Sequence, residues 1–131
     1  MLHVKTYLKK SKINGIGVFA SEIIFKDQLI WSLNPNIDKI IDNNIKNIST
    51  FTEIETDFIV KYAYFDKQLQ KYILSSDNDK FTNHSFTPNT KPYPNGNVFA
   101  IKDISKNEEL TINYFEIDEL ANEKLKNQKI K

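Results

Sequence analysis

Phe81-Thr82-Asn83-His84-Ser85-Phe86-Thr87-Pro88-Asn89 is the stretch on which the reading of this chain turns. It sets polar side chains with distinct geometric uses between apolar residues. Asn83 offers an amide with two donors and an acceptor, His84 and Ser85 add further hydrogen-bonding groups, and Pro88-Asn89 is a strong turn signal. Asn, Ser and Pro also crowd into turns for backbone reasons alone, with no ligand involved. The rest of the chain decides between those two readings.

Downstream comes Glu109-Leu110-Thr111-Ile112-Asn113-Tyr114, and far upstream Ile13-Asn14-Gly15-Ile16-Gly17-Val18-Phe19-Ala20. Taken in order, the three segments resemble the three signatures of the SET domain family of lysine methyltransferases. That family carries a Gly-x-Gly near its start, an Asn-His-Ser-x-x-Pro-Asn in its second half and a Glu-Leu-x-x-x-Tyr close to its end. A lone Gly-x-Gly is weak and a lone Glu-Leu-x-x-x-Tyr is common by chance. The Asn-His-Ser-Phe-Thr-Pro-Asn match is specific, and its place between the other two ties them together. The resemblance covers about residues 3 to 115. It implies a mainly β fold with short helices, a β-clip-like set of small sheets in which the C-terminal segment threads a loop as a pseudoknot. Minimal single-domain members from bacteria and viruses are the nearest likeness. The absence of Arg and the abundance of Lys, Asn and Ile suit an AT-rich microbial or viral source.

Composition bounds the answer. A chain of 131 residues suits one domain, with a core at about 3–115, a variable insert at about 37–75 and a tail at 116–131. The formal net charge of +1 provides no basic field for wrapping nucleic acid. With no cysteine there is no disulfide and no thiolate zinc site, and two separated histidines make no metal cluster. No apolar run approaches the roughly 20 residues that span a bilayer, and the N-terminus lacks a signal-peptide pattern. A soluble, cytoplasmic protein is expected.

Along the chain, Leu2, Val4, Thr6 and Leu8 alternate as in a strand, which turns through Lys9–Lys12 into Gly15-Ile16-Gly17. Two uses of those glycines stay open: close approach of backbone to a ligand, or positive φ in a hairpin turn. Val18-Phe19-Ala20, Ile24, Lys26-Asp27 and Ile30 recur as Val98-Phe99-Ala100, Ile104, Lys106-Asn107 and Leu110. Each copy reads strand, tight turn, strand, with Asp27 and Asn107 suited to a left-handed turn position. Residues 34–47 read as a loop or irregular insert. Thr52-Glu53-Ile54-Glu55 fits a capping box, and Ile54, Phe58, Tyr62 and Phe65 follow at helical spacing. A helix over 53–65 with that face inward is expected, then a strand over 68–74. Two prolines exclude Thr90–Asn97 from a central strand and make it a surface loop. From Glu116 a short amphipathic helix with a frayed end is expected.

The resemblance implies roles residue by residue. Gly15, Ile16 and Gly17 lay backbone along S-adenosylmethionine, the Asn83 amide meets its methionyl part, and the His84 backbone meets its adenine. Tyr114 lies beside the transferring methyl, against both cofactor and reaction. Ile112 and Phe115 line the substrate channel, and Tyr62 or Tyr64 in the insert is a candidate substrate contact. The implied activity is S-adenosylmethionine-dependent protein-lysine N-methyl transfer, with a protein bearing an accessible lysine as partner. Two other readings stay open: a SET-like peptide-binding module without catalysis, and a small amine as acceptor.

Methyl transfer from a sulfonium to an amine is an in-line displacement that needs no metal. Its difficulty is the proton: a free lysine is neutral about once in 2,500 molecules at pH 7, a deficit of about 4.6 kcal/mol. An apolar channel and a neighbouring positive sulfur both disfavour the ammonium. His84 beside Ser85 does not make a hydrolase, since no third group is evident, and Glu109 reads as structural. Departures from the family are Phe86 for its usual Cys, Lys80 for Arg and Asn113 for an acidic residue. The family's Cys-rich segment after the domain, which closes the channel in many relatives, is missing. Phe115, the tail helix or a second subunit in a homodimer is left to close it. Ile112 has no hydroxyl to fill the channel end, which predicts product beyond monomethyl-lysine.

Overall fold

The computed structural model describes residues 1–42 and 51–126. Strands β1 (Thr6–Lys10) and β2 (Ile16–Ala20) form a hairpin in which Lys10 faces Ile16 and Thr6 faces Ala20. Strands β3 (Leu29–Trp31) and β4 (Lys39–Ile41) follow, then helix α1 (Glu53–Tyr62) and the hairpin of β5 (Tyr64–Asp66) with β6 (Lys71–Leu74). A 3-10 turn, Asn78–Phe81, leads into β7 (Asn83–His84). Strands β8 (Thr90–Pro92), β9 (Val98–Ala100) and β10 (Glu109–Ile112) complete the sheets, and α2 (Tyr114–Ile117) and α3 (Ala121–Lys126) close the chain. The sheets run β1-β2-β10-β7, β3-β9-β8 and β4-β6-β5. This mainly β set of small sheets with short helices is the fold class expected from the sequence.

The internal echo explains how two of those sheets meet. Its copies interlock instead of standing side by side: the first strand of each copy pairs with the second strand of the other, β2 with β10 and β9 with β3. Ile24 and Ile104 exchange both backbone hydrogen bonds at 2.9 and 2.8 Å between the copies. The Asp27 amide donates to Ala100 O and the Asn107 amide to Ala20 O, each at 2.8 Å. Both turn residues sit in the left-handed region, at φ 70° and 72°, as their type suggests. Ile24, Ile104, Ala20, Ala100, Leu110 and Trp31 are buried together around this exchange. Burial of that size, at about 25 cal/mol per Å² of apolar surface, fixes the strand register from which the site is built.

Four expectations are corrected. Helix α1 has the expected capping box, but stops at Tyr62, and Phe65 enters β5. Its inward face is Ile59, 6% exposed, while Ile54 and Phe58 face solvent at 82% and 44%. A stripe chosen for aromatic content lost to one that meets β6 and β5, where Ile59 packs with Ala63, Phe65 and Tyr72. Residues 39–41, expected as loop, pair with β6, although part of the 34–47 segment lies outside the described residues. The strand expected over 68–74 begins at Lys71, because Gln70 takes φ 52° in the β5–β6 turn. Thr90–Pro92 is a strand rather than loop, yet an edge strand whose backbone pairs with β9, which is where Pro92 is tolerated, while the Thr90 hydroxyl donates to Thr111 O at 2.7 Å.

Strand β10 positions the site. Inserted between β2 and β7, it runs antiparallel to the first and parallel to the second, with Thr111 beside Asn83 and Ile112 beside His84. Asn89 extends that pairing with its side chain: its Oδ1 accepts from the Thr111 amide at 2.9 Å, and its Nδ2 donates to Glu109 O at 2.8 Å.

Candidate functional site

The β1–β2 loop, β7 and the end of β10 converge, and hydrogen bonds between side chain and backbone hold them in place. Gly15 supplies positive φ, 49°, for the turn. Gly17 serves a different end: a Cβ there would stand 2.5 Å from Glu109 Oε2 and 3.1 Å from Ser11 Cβ. That approach lets the Ser11 hydroxyl donate to the Glu109 carboxylate at 2.9 Å while accepting the Ile13 amide at 2.8 Å. Asn83, 3% exposed, donates its amide to Asn14 O at 3.0 Å, Ile16 O at 3.3 Å and Glu109 Oε2 at 3.0 Å. Asn83 and Glu109 thus lock the Gly-x-Gly loop to β10. A cleft follows, lined by Asn14, Gly15, Ile16, Asn83, Lys80 and Tyr114.

His84 is fixed from its Nδ1, which accepts the Tyr114 amide at 3.1 Å. That bond assigns the proton to Nε2, and burial holds the ring below the ordinary histidine range, so the imidazole is neutral at pH 7. Among the described residues neither Nε2 nor the Oδ1 of Asn14 has a hydrogen-bond partner, though both atoms are buried. The two residues line one cavity together with Phe86 and Phe115. These rings stack at 5.8 Å and 14°, and His84 meets them edge-on at 4.4 and 5.7 Å. A donor and an acceptor without partners beside two flat apolar faces suit a planar heterocycle with hydrogen-bonding edges.

A further cavity adjoins the cleft and is walled by Trp31, Tyr62, Tyr64, Ile112 and Tyr114. The Tyr114 hydroxyl donates to Thr82 O at 2.6 Å, which aims the ring by means of the central motif's backbone. Two carboxylates reach this cavity. Asp118, on the segment between α2 and α3, pairs with Lys124 Nζ at 2.8 Å and accepts the amides of Phe65 and Leu120. Lys124 also donates to Ala63 O at 2.5 Å and lies 5.3 Å over the Tyr114 ring. Asp79 accepts from the Ser75 hydroxyl at 2.8 Å and the Thr82 hydroxyl at 3.3 Å. Burial, with Asp77 nearby, pushes its carboxyl up to about 6.

The expected site residues therefore divide. Gly15, Ile16, Asn83 and Tyr114 share the cleft, and Gly17 sits behind them against Glu109. His84 and Phe115 share the aromatic cavity. Phe115, expected beside Ile112 in the substrate channel, does not line the cavity that Ile112 lines, because its amide bonds to Asn113 Oδ1 and its ring turns to Phe86. Of the channel's three proposed closures, the tail supplies Ile117, Asp118 and Lys124 to the cavity wall. Sequence reasoning missed Asp79, Asp118 and Lys124. An isolated Asp or Lys in a polar stretch carries no signal of burial, and only the fold brings the 3-10 turn with Asp79 and the tail with Asp118 and Lys124 to one cavity.

The profile of the SET domain matches residues 15–115. No curated protein matches the chain. Among solved structures, the chain is similar to apo Polycomb Repressive Complex 2 of Chaetomium thermophilum, with TM-score 0.64, 21% identity, and coverage of 92% of this chain and 16% of that one. The same complex, autoinhibited and bound to S-adenosylmethionine, matches at TM-score 0.62 and 20% identity over 95% of this chain and 17% of that one. The chain thus spans under a fifth of those relatives' length. A candidate histone methyltransferase of Plasmodium falciparum matches at TM-score 0.56 and 26% identity over 86% of this chain and 95% of that one. With a family match over more than three quarters of its length, and with the three motifs brought together around β10, the chain belongs to the SET domain family.

Proposed function

We propose that this protein is an S-adenosylmethionine-dependent protein-lysine N-methyltransferase. The observation that carries the reading is Tyr114, which lines both the cleft of the Gly-x-Gly loop and the cavity of Ile112. Two adjoining sites that share the wall of Lys61, Tyr62, Lys80, Thr82 and Tyr114 suit a two-substrate transfer. The cofactor fits the residues present: His84 Nε2–H and Asn14 Oδ1 lack partners where an adenine would offer an acceptor and a donor, and Phe86 and Phe115 provide faces for stacking. Gly15, Ile16, Asn83 and Lys80 would hold the methionyl end, with Lys80 as a cation for its carboxylate. When bound, the cofactor supplies an electrophilic methyl on a positive sulfur.

The chain's own residues do the rest. Trp31, Tyr64 and Ile112 give an apolar wall that excludes water and disfavours an ammonium. The Thr82 carbonyl fixes the Tyr114 hydroxyl, so the group beside the reacting nitrogen needs no reorganisation. Holding amine and methyl in line removes orientational entropy, a contribution of several kcal/mol. A binding module without catalysis has no use for two adjoining cavities that share Tyr114, and the apolar walls suit an alkyl chain longer than a small amine requires. Incubation with labelled cofactor and a lysate, beside calorimetric titration of the cofactor, tests the reading. Cofactor binding with label in protein supports it; no binding and no labelled protein sinks it.

A further inference from the structure

We infer that Asp79 is the proton acceptor for the incoming lysine ammonium, an inference that rests on the methyltransferase reading above. The cavity beside Tyr114 is lined by two carboxylates, Asp79 and Asp118, and by three lysines, of which Lys61 lies over the Tyr62 ring and Lys80 over the Phe81 ring. Lys124 is committed to Asp118, and among the described residues Asp79 has no cation within 4 Å. Asp79 therefore stands in the cavity as a carboxylate with two hydroxyl donors and, among the described residues, no ion-pair partner. A substrate ammonium is the missing partner, and in surroundings this apolar the pair relaxes toward neutral acid and neutral amine. One N–H bond of the ammonium breaks and an O–H bond forms on Asp79. The freed lone pair forms the N–C bond while the S–C bond breaks, its electron pair staying on sulfur.

Thr82 links the two roles. Its hydroxyl donates to Asp79 and its carbonyl accepts from the Tyr114 hydroxyl, so acceptor and transfer site share one residue as a common support. Other charged or titratable groups face Asp79. On its own turn these are Asp77 and Lys80. From the chain start comes the Met1 ammonium, from β5 the Tyr64 phenol, and from α1 Lys61 and Tyr62. From the tail come Asp118 with Lys124, and Tyr114. The folded-state ionisation near pH 6 leaves Asp79 a carboxylate at neutral pH, ready to take a proton.

The pH dependence of kcat/KM on a lysine peptide, measured on wild-type protein, Asp79→Asn and Asp79→Glu, decides this. Proton transfer within the complex makes the wild-type profile rise to about pH 6 and then stay level until the lysine itself titrates near pH 10. Asp79→Asn should lose about 100-fold or more at pH 7 and climb roughly tenfold per pH unit toward pH 10, since only free amine then reacts. Asp79→Glu should restore the level region, and cofactor affinity should be unchanged in both variants. A wild-type profile that climbs through pH 7 to 9, or an Asp79→Asn profile that keeps the level region, overturns the inference and leaves methyl transfer intact. No turnover by wild-type protein at any pH contradicts the methyltransferase reading itself.

Discussion

Asn83 donates to Glu109 Oε2 at 3.0 Å, and the same amide reaches back to Asn14 O and Ile16 O, so the Gly-x-Gly loop hangs from two residues of the other motifs. The three sequence signatures are thus parts of one hydrogen-bonded unit. Replacing Asn83 with Ala takes one donor from the Glu109 carboxylate, which keeps Ser11, and the side-chain donor from the Asn14 and Ile16 carbonyls, at a cost of about 1 to 3 kcal/mol. The expected outcome is a lower thermal midpoint together with cofactor binding weakened tenfold or more, read by calorimetry.

Gly17→Ala attacks the same unit by volume. The new Cβ meets Glu109 Oε2 at 2.5 Å, and Glu109 cannot step aside without giving up Ser11 and Asn83. Loss of stability of roughly 1 to 3 kcal/mol is expected from such overpacking. Gly96→Ala makes a useful contrast, since nothing lies within 4 Å of its Cβ and only its φ of 87° resists the change. Denaturant midpoints of the two variants, with cofactor affinity falling only for the first, check this.

How much of this was legible beforehand depends on range. Short-range chemistry was: the Thr52 capping box and the left-handed Asp27 and Asn107 each follow from one residue's own geometry. The echo between Val18–Leu110 segments was visible, but not that its copies exchange strands, because identical patterns pair equally well within a copy or across copies. Around the site, motif residues were found and their supports were not. Glu109 was read as structural without its partners, Ser11 among them, and Lys124 owes its burial to a contact with Ala63 O, 61 residues away.

Asp79 also predicts a stability cost. Its folded carboxyl titrates near 6 against an ordinary 3.8, so the folded state holds its proton more tightly than the unfolded chain does. Stability is then highest below about pH 4 for this group, falls as pH rises toward 6, and stays lower above it. Asp79→Asn removes the penalty. At pH 7.5 the variant should be more stable than wild type, by up to roughly 2 to 3 kcal/mol, and the difference should vanish near pH 4. Thermal unfolding at the two pH values measures it; a variant less stable at pH 7.5 contradicts the assignment.

Lys124 tethers the tail to the cavity wall through Asp118 and Ala63 O. Lys124→Ala leaves Asp118 buried without its counter-charge and should cost about 3 kcal/mol or more. Turnover should suffer with it, because α3 then no longer closes the cavity. Lys124→Ala with Asp118→Asn should recover part of the stability but not the closure, a non-additivity that a double-mutant cycle reads directly.

Ile112, 7% exposed and in the cavity wall, gives no hydroxyl to the channel end. Of the tyrosines that could fill that space, Tyr62 and Tyr64 line the cavity, whereas Tyr72 and Tyr93 do not. Product beyond monomethyl-lysine is expected at long reaction times. Stalling at one methyl with cofactor in excess, relieved by Tyr64→Phe, would assign the limit to Tyr64.

The account stands or falls on where a transferred methyl ends up. Protein labelled by the wild-type enzyme and by Tyr114→Phe, hydrolysed and resolved into methylated amino acids, reads that destination. The expected result is radioactive N-methyl-lysine from the wild type, at least tenfold less from Tyr114→Phe, and cofactor affinity within a few fold for both, since only a hydroxyl is lost. Label in no amino acid, or equal label from both proteins, would contradict it.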